Sequence, residues 1–592
     1  SMRVECDWLF KAVASETLPH IRILSPQALS SLAWSFAKLG TSELSVVQAL
    51  AGQAIRCLRS FVPQDISGLV WALAMLRVQT GSALLRPFGA EALPKLRAFS
   101  PQQLSNVAWA FAALRERDSS LMHAVSREAA GRLVEFGPHG LASLAWAMAT
   151  RPLPSEELIR AIAAEAPSKP HEFLPRGLAN VAWAFATLRS DICDLFRRIA
   201  EELTHRTAEL TLQDLSNLAW AFATLERREV ASVFPLVERE LQAKLRTCDL
   251  RSASQRTCTA SAVSVAGAIW AMDFAGLLKE DLLLLAHGKL TEVGHALDGA
   301  RVLLGVQTRL ACSTAGSLPS DPCIMLDLPD RLVVHKTPGY EVDQGADTRV
   351  AGEGRVLRLS SCLQAWLPPR QWPITRDAEH NRGFLHRLDA PSSGLVLVAK
   401  TYEAYYDLLL QVSAGRLTRD YLVLCHGWVP PERGRISAGV LWSTTDSAPS
   451  RVCSAGKPAV TRLKVLAHCS REGEAFSLLA VRIVTGRRHQ IRAHAAHIGH
   501  PVVCDGKYSA QHVFLADREW CARNFLHRYC LRFQDSMGIG QEVMIPLPLD
   551  LVEALEQMSP RSAVSANALR QCLEGRGPQG WEACEVLLGA SD

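Results

Sequence analysis

The 592-residue chain has 16 cysteines but no Cys-x-x-Cys pair, which excludes a zinc ribbon and a dithiol redox site. Thiols scattered in this way read as reduced cysteines, not as a disulfide framework. No apolar run reaches the roughly 18–20 residues that a membrane-spanning helix needs, so no membrane partner is expected. Excess charge is also missing. The 64 Lys+Arg nearly balance 59 Asp+Glu, for a net +5, unlike a histone-like polycation or an acidic solvating chain. With 48% hydrophobic and 21% charged residues, the composition is that of a folded protein. There is no Gly-x-Ser-x-Gly elbow of a serine hydrolase and no His-Glu-x-x-His helix of a zinc hydrolase. The opening Ser1-Met2-Arg3-Val4 carries no signal-peptide pattern and falls inside a repeat, so the expectation is that a targeting leader precedes this chain.

What the sequence has in abundance is one phrase. LSSLAWSFAKL at 29–39 recurs as ISGLVWALAML at 66–76, LSNVAWAFAAL at 104–114, LASLAWAMAT at 141–150, LANVAWAFATL at 178–188 and LSNLAWAFATL at 215–225. Its tryptophans (Trp34, Trp71, Trp109, Trp146, Trp183 and Trp220) are spaced 37 or 38 residues apart. A degenerate seventh copy carries Trp270 after a spacing of 50, and the Ser/Thr-rich stretch 252–264 reads as a loop that supplies the excess. A period in this range predicts a solenoid.

Each unit reads as a helix pair. A proline eight residues before Trp in five copies (Pro26, Pro63, Pro101, Pro138 and Pro175) suits a helix entrance, and Ser25 and Ser100 precede two of them as N-caps. The alanines of the phrase allow close helix approach, and the tryptophan stripe is expected in the core. Three residues before Trp stands Ser31, Gly68, Asn106, Ser143, Asn180, Asn217 or Gly267. This position fits either a base reader or a packing site for small side chains. Arg77, Arg115 and Arg189, six residues after their Trp, suit phosphate contacts or the helix C-terminal dipole. The period and its LxNLAWAFAxL core resemble the octotricopeptide repeats of organellar RNA-binding proteins and, more loosely, FASTK-like repeats, over roughly residues 20–290. That resemblance implies single-stranded RNA binding and a chloroplast or mitochondrial location.

The second half changes character. STAGSLPSDP at 313–322 reads as a linker, and the segments at 324–342, 395–399 and 421–424 alternate like strands of a mixed or antiparallel sheet. Between 451 and 510 stand ten Lys/Arg against three Asp/Glu, a local basic surface that suits a polyanion. His489, His494, His497 and His500 lack the spacing and acidic or thiol partners of a metal site. Asp389 has no acidic companion in these blocks, which argues against a glycosidase pair.

Three blocks then line up in order. HRLDAPSSGLVLVAK, RDYLVLCHG and TGRRHQIRAHAAHIGHPVVCDGKY resemble the signatures of RluA-type pseudouridine synthases. Ser392 and Arg488 each replace a usual threonine, Arg419 replaces a lysine, and Asp420 sits inside the second block. The resemblance implies an RNA isomerase without cofactor or metal. Asp389 would be its catalytic aspartate, Tyr421 its active-site tyrosine and Arg492, rather than Arg487, the arginine beside Asp389. Arg387 would enter the place of a flipped base, and His386 would order the loop. Arg487, Arg488, His489, Gln490 and Lys457 are taken as RNA contacts. An aspartate suits the chemistry because a covalent intermediate divides a difficult exchange into easier steps.

The expected architecture is therefore multidomain. An all-α solenoid spans 1–312, a linker 313–322, an α+β synthase domain with a mixed, mainly antiparallel sheet 323–552, and an extension 553–592. A monomer that binds RNA is expected. The alternative is a non-catalytic RNA-binding or processing factor that uses the synthase fold as a clamp.

Overall fold

Prolines set where the repeat helices begin. The first helices of successive units run Pro26–Leu39, Pro63–Met75, Pro101–Ala113, Pro138–Thr150 and Pro175–Thr187, and a sixth, Leu212–Thr224, starts after Thr211. Ser100 accepts from the Gln103 N–H at 3.3 Å while Gln103 accepts from the Ser100 N–H at 2.9 Å, a reciprocal cap that satisfies two free donors. The computed structural model describes residues 7–582 apart from 40–43, 77, 79–81, 115, 117–118, 151–155, 167–169, 191–192, 226–232, 249–254, 300–320, 343–356, 443–447, 455 and 576–580. They form two compact units, divided between Leu241 and Gln242. Among the described residues no helix is long and apolar enough to cross a membrane.

In the first unit each first helix packs against the next, with Ala33, Ala37, Ala108, Ala112, Ala182 and Ala186 buried at the seams. The tryptophans are not core, contrary to expectation. Trp34 is 44% exposed, and Trp71, Trp109, Trp146, Trp183 and Trp220 are only partly buried. Helices held at alanine distance leave no gap wide enough for an indole, so each ring lies across the outside of the seam. Centroids of the pairs 34–71, 109–146 and 183–220 are 6.2 Å apart, and those of 146–183 are 6.3 Å apart. One turn earlier, Asn217 donates to Asn180 at 3.4 Å. Arg189 is exposed at a helix end, whereas Arg77 and Arg115 lie outside the described residues.

The second unit opens with the seventh hairpin, α1 (Gln255–Phe274) and α2 (Glu280–Asp298). Most of the stretch read as a loop is therefore helical. It contains no Gly or Pro, it buries Cys258 and Ala262, and its hydroxyls return to the helix, as in Ser264 Oγ to the Ala260 carbonyl at 2.8 Å. Residues 313–320 of the linker lie outside the described residues.

A ten-stranded sheet follows, built of β1 (Cys323–Asp327), β2 (Arg331–Lys336), β3 (Ser393–Ala399), β4 (Thr418–His426), β5 (Arg435–Ser437), β6 (Val460–Arg471), β7 (Glu474–Ile483), β8 (Leu526–Gln534), β9 (Gly540–Met544) and β10 (Ser559–Pro560). Its order is β1-β2-β3-β8-β4-β7-β6-β10, with β9 beside β8 and β5 beside β6. β3 and β8 are parallel while the other pairs are antiparallel. Gly394 is required at that parallel junction. Its φ is +130°, and a side chain there would overlap the Arg528 backbone. Helix α3 (Tyr402–Ser413) follows β3 and α4 (Gln490–His497) follows β7.

The hairpin is fastened to α3. Asp298 accepts from the backbone N–H groups of Tyr402 and Glu403, each at 3.0 Å, satisfying donors that the first turn of a helix leaves free. His287 meets Asp407 and His295 meets Glu403, both at 3.1 Å. Gly294 of α2 touches α3 so closely that a Cβ would overlap the Glu403 backbone, whereas Gly288 faces open space. Gly294→Ala should therefore cost about 1–3 kcal/mol by overpacking. Gly288→Ala should gain up to about 1 kcal/mol from helix propensity. Paired denaturant melts measure the difference, and equal effects would show that α2 does not rest on α3.

Candidate active site

The loop from β2 to β3 carries Asp389 because several groups hold its backbone. The Ser392 N–H donates to the Asp389 carbonyl at 3.0 Å, closing a turn that ends as β3 starts. Lys336, at the end of β2 and fully buried, donates to the carbonyls of Thr337, Ala390 and Ser392 at 2.9, 3.1 and 2.7 Å. Burial pushes its pKa down to about 7, while three carbonyl acceptors match the three N–H groups of the charged amine. Ser392 keeps the hydroxyl of the threonine it replaces in the motif and accepts from Asn524 at 3.1 Å.

Asp389 faces Arg492 of α4. The guanidinium donates through Nη1 to Asp389 at 2.8 Å, and through Nε and Nη2 to Asp505 at 2.6 and 2.7 Å. Asp505 is fully buried. It grips Arg492 in the bidentate geometry that fixes a guanidinium most firmly, leaving one edge for Asp389. Burial works against ionisation of Asp389, but the charge and hydrogen bond of Arg492, together with the charges of His489 and Arg387, outweigh it and hold the carboxyl below its ordinary value. Arg487 does not reach the aspartate. It donates to the Pro458 carbonyl at 3.1 Å, and burial lowers its pKa to about 10.

Tyr421 of β4 is 3% exposed, and its hydroxyl accepts from Arg528 Nη2 at 2.5 Å. Arg528, buried in β8, lies 4.9 Å from the Tyr421 ring centroid. It also donates to His386 Nδ1 at 2.7 Å, to the Leu395 carbonyl at 2.9 Å and to the Arg387 carbonyl at 3.2 Å. Burial keeps the His386 ring neutral. Arg528 thus ties the tyrosine to the loop that carries Asp389. Asp420, the acid inside the second motif, is fully buried and paired bidentately with Arg482 of the neighbouring strand at 2.6 and 2.7 Å, so its charge is neutralised away from the cleft.

A cleft of about 310 Å³ is lined by His386, Arg387, Asp389, Tyr421, Arg492 and Arg528, together with Arg419, Arg487, Arg488, His489, Gln490 and Trp270. That volume is at the small end of ligand sites. Of the expected RNA contacts, Arg387 is exposed there. Gln490 uses its whole amide inside the protein, accepting from Thr485 and the Arg487 N–H and donating to Val460 and Thr461, so it shapes the loop. Lys457 lies outside the lining, 5.3 Å from the Trp442 ring centroid. His489 adopts left-handed backbone, φ 54°, a conformation concentrated at functional sites. Its Nε2 lies 3.8 Å from Asp389, and burial lowers its pKa to about 4. His494 is buried instead against Thr461 and the Ala438 carbonyl, and His500 meets the His426 carbonyl. Sequence reasoning missed Lys336, Asp505 and Arg528.

The arrangement presents an ionised carboxylate and a buried phenol in a cation-lined cleft. With Asp389 charged throughout and His489 neutral throughout, single-turnover rates should be flat from about pH 5 to 6, below the range in which the Lys336 amine loses its proton. The sign follows from the lowered carboxyl: its charge persists above the ordinary value of 3.8 and is lost only below it. A rate limb between pH 5 and 6, measured by quenched-flow, would contradict this geometry.

The family model described as RNA pseudouridylate synthase matches residues 330–497, and that of RNA-editing substrate-binding complex 6 protein matches residues 2–230. The ribosomal large subunit pseudouridine synthase D of Escherichia coli O157:H7 is 34% identical over 290 residues, 47% of this chain and 83% of that protein. An uncharacterized RNA pseudouridine synthase of Chloroflexus aurantiacus is 33% identical over 236 residues, 40% of this chain and 66% of its own. The solved structure of human RNA pseudouridylate synthase domain containing 1 is 27% identical, with 42% of this chain and 95% of that one covered and a TM-score of 0.32.

Proposed function

This chain belongs to the RNA pseudouridine synthase family and is an isomerase acting on RNA; on that premise we propose that Asp389, Tyr421 and Arg492 convert uridine to pseudouridine in an RNA that the N-terminal repeats bind. The observation that carries the catalytic part is the 2.8 Å contact between Arg492 and an accessible Asp389 at the wall of the cleft. The Asp389 carboxylate adds covalently to the nucleoside, the N1–C1′ bond breaks, the uracil turns, C5 bonds to C1′, and the bond to Asp389 breaks to return the free carboxylate. The C5 proton leaves as N1 gains one, so the product is an isomer and no redox partner enters. Arg492 keeps Asp389 charged, Tyr421 packs against the uracil, and Arg387 fills the place that the flipped base vacates.

Support for RNA binding by the repeats comes from the outward tryptophan ladder and the small polar residues one turn before it. Stacking on aromatic rings is how sequence-tolerant single-strand binding works, and capture of the strand raises the local concentration of target at the cleft. The RNA is a ribosomal RNA, a tRNA or an organellar transcript. Mapping pseudouridine across the transcriptome, with the full chain present or replaced by Asp389→Asn, tests the reading. Uridines modified only with the native chain are expected. An identical map in both cells would instead favour a non-catalytic clamp.

A further inference from the structure

Trp270 holds the tryptophan position of the seventh repeat, yet it lines the same cleft as Asp389. Its ring stacks on Phe274, with centroids 5.0 Å apart and 20° between planes. The Arg487 guanidinium lies 5.5 Å from the indole centroid and is itself tied to the Pro458 carbonyl. Helix α1 is held in turn, since Tyr406 of α3 donates to Thr259 at 3.5 Å and α2 is fastened to α3 through Asp298. The indole is therefore set rigidly and remains partly exposed to the cleft. The reaction outlined above gives it no role.

A uridine that enters the cleft leaves its stack, and the neighbouring base loses a partner. An indole fixed in the wall replaces that partner, and every base offers a π-face to it. We propose that Trp270 is a substrate-contacting residue that stacks on a nucleobase beside the target uridine, so that the enzyme selects uridines whose neighbour is unpaired. This rests on the cleft being the uridine site. The contact is sequence-tolerant, favours a large purine face, and is insensitive to salt where phosphate contacts are not.

The test uses the full chain carrying Asp389→Asn and an oligouridylate containing 4-thiouridine, irradiated and mapped by mass spectrometry of the digested protein. Cross-links are expected on the peptide holding Trp270 together with those holding Arg387 or Tyr421. Cross-links to the latter alone overturn this proposal and leave the uridine site standing, whereas none in the cleft overturns both. Adding Trp270→Ala should lower the Arg387 and Tyr421 cross-links about tenfold at subsaturating RNA, and Trp270→Phe should restore them. A loss that Phe does not restore, accompanied by a lower melting temperature, marks a packing role and overturns the proposal.

Discussion

Replacing Asp389 with asparagine should reduce pseudouridine formation about ten-thousandfold, the scale seen when a covalent catalyst is removed, while leaving the fold intact. The size of the carboxyl is kept, and its charge and nucleophilicity are lost. Stability should barely change because Arg492 retains both hydrogen bonds to Asp505, so no buried cation is orphaned. Nucleoside chromatography after incubation with the RNA that the native chain modifies measures the first effect, and a thermal melt measures the second. Activity within tenfold of native would remove Asp389 from the chemistry.

The complementary substitution, Asp505→Ala, should do the reverse in stability and come close to the same loss in rate. It leaves a buried guanidinium with a single carboxylate, and breaking a buried pair from one side costs about 3–5 kcal/mol. Arg492 would then turn towards Asp389 or towards water, and the carboxylate would lose its fixed orientation. A clear shift of the denaturant midpoint with an unchanged slope is expected, along with a severe loss of turnover. An unchanged midpoint would show that Asp505 does not bear on Arg492 in solution.

Part of this was legible from the sequence for a simple reason. A period of 37 or 38 residues marks equivalent positions, and prolines mark entrances, so the helical array follows from spacing alone. Spacing does not say which side of a helix its neighbour covers. The tryptophans look like core by residue type, and only the close alanine seam shows that an indole cannot enter. The Ser/Thr-rich segment misleads likewise, because hydroxyls that favour loops also bond back within a helix when its apolar positions are buried. In the site, Asp389, Tyr421 and Arg492 lie inside continuous motifs. Asp505 lies inside one as well, yet as a lone acid whose partner is 13 residues away. Arg528 is 107 residues from Tyr421, and pairing of β8 with β4 is needed to bring them together. Its one visible signal was a charge in an apolar strand, FLHRYCLRF. Gln490 looked available for RNA because a polar side chain next to basic residues does not announce that its four hydrogen bonds are already made.

Anyone wishing to excise the enzyme for crystallography or screening would naturally cut at the Ser/Pro/Gly-rich stretch. Such a fragment would begin with β1 and leave behind the acceptor that Asp298 lends to α3, exposing two amides and the apolar flank on which α2 lay. A fragment that starts upstream of Gln255 keeps both helices of the hairpin and the Asp298 cap on α3.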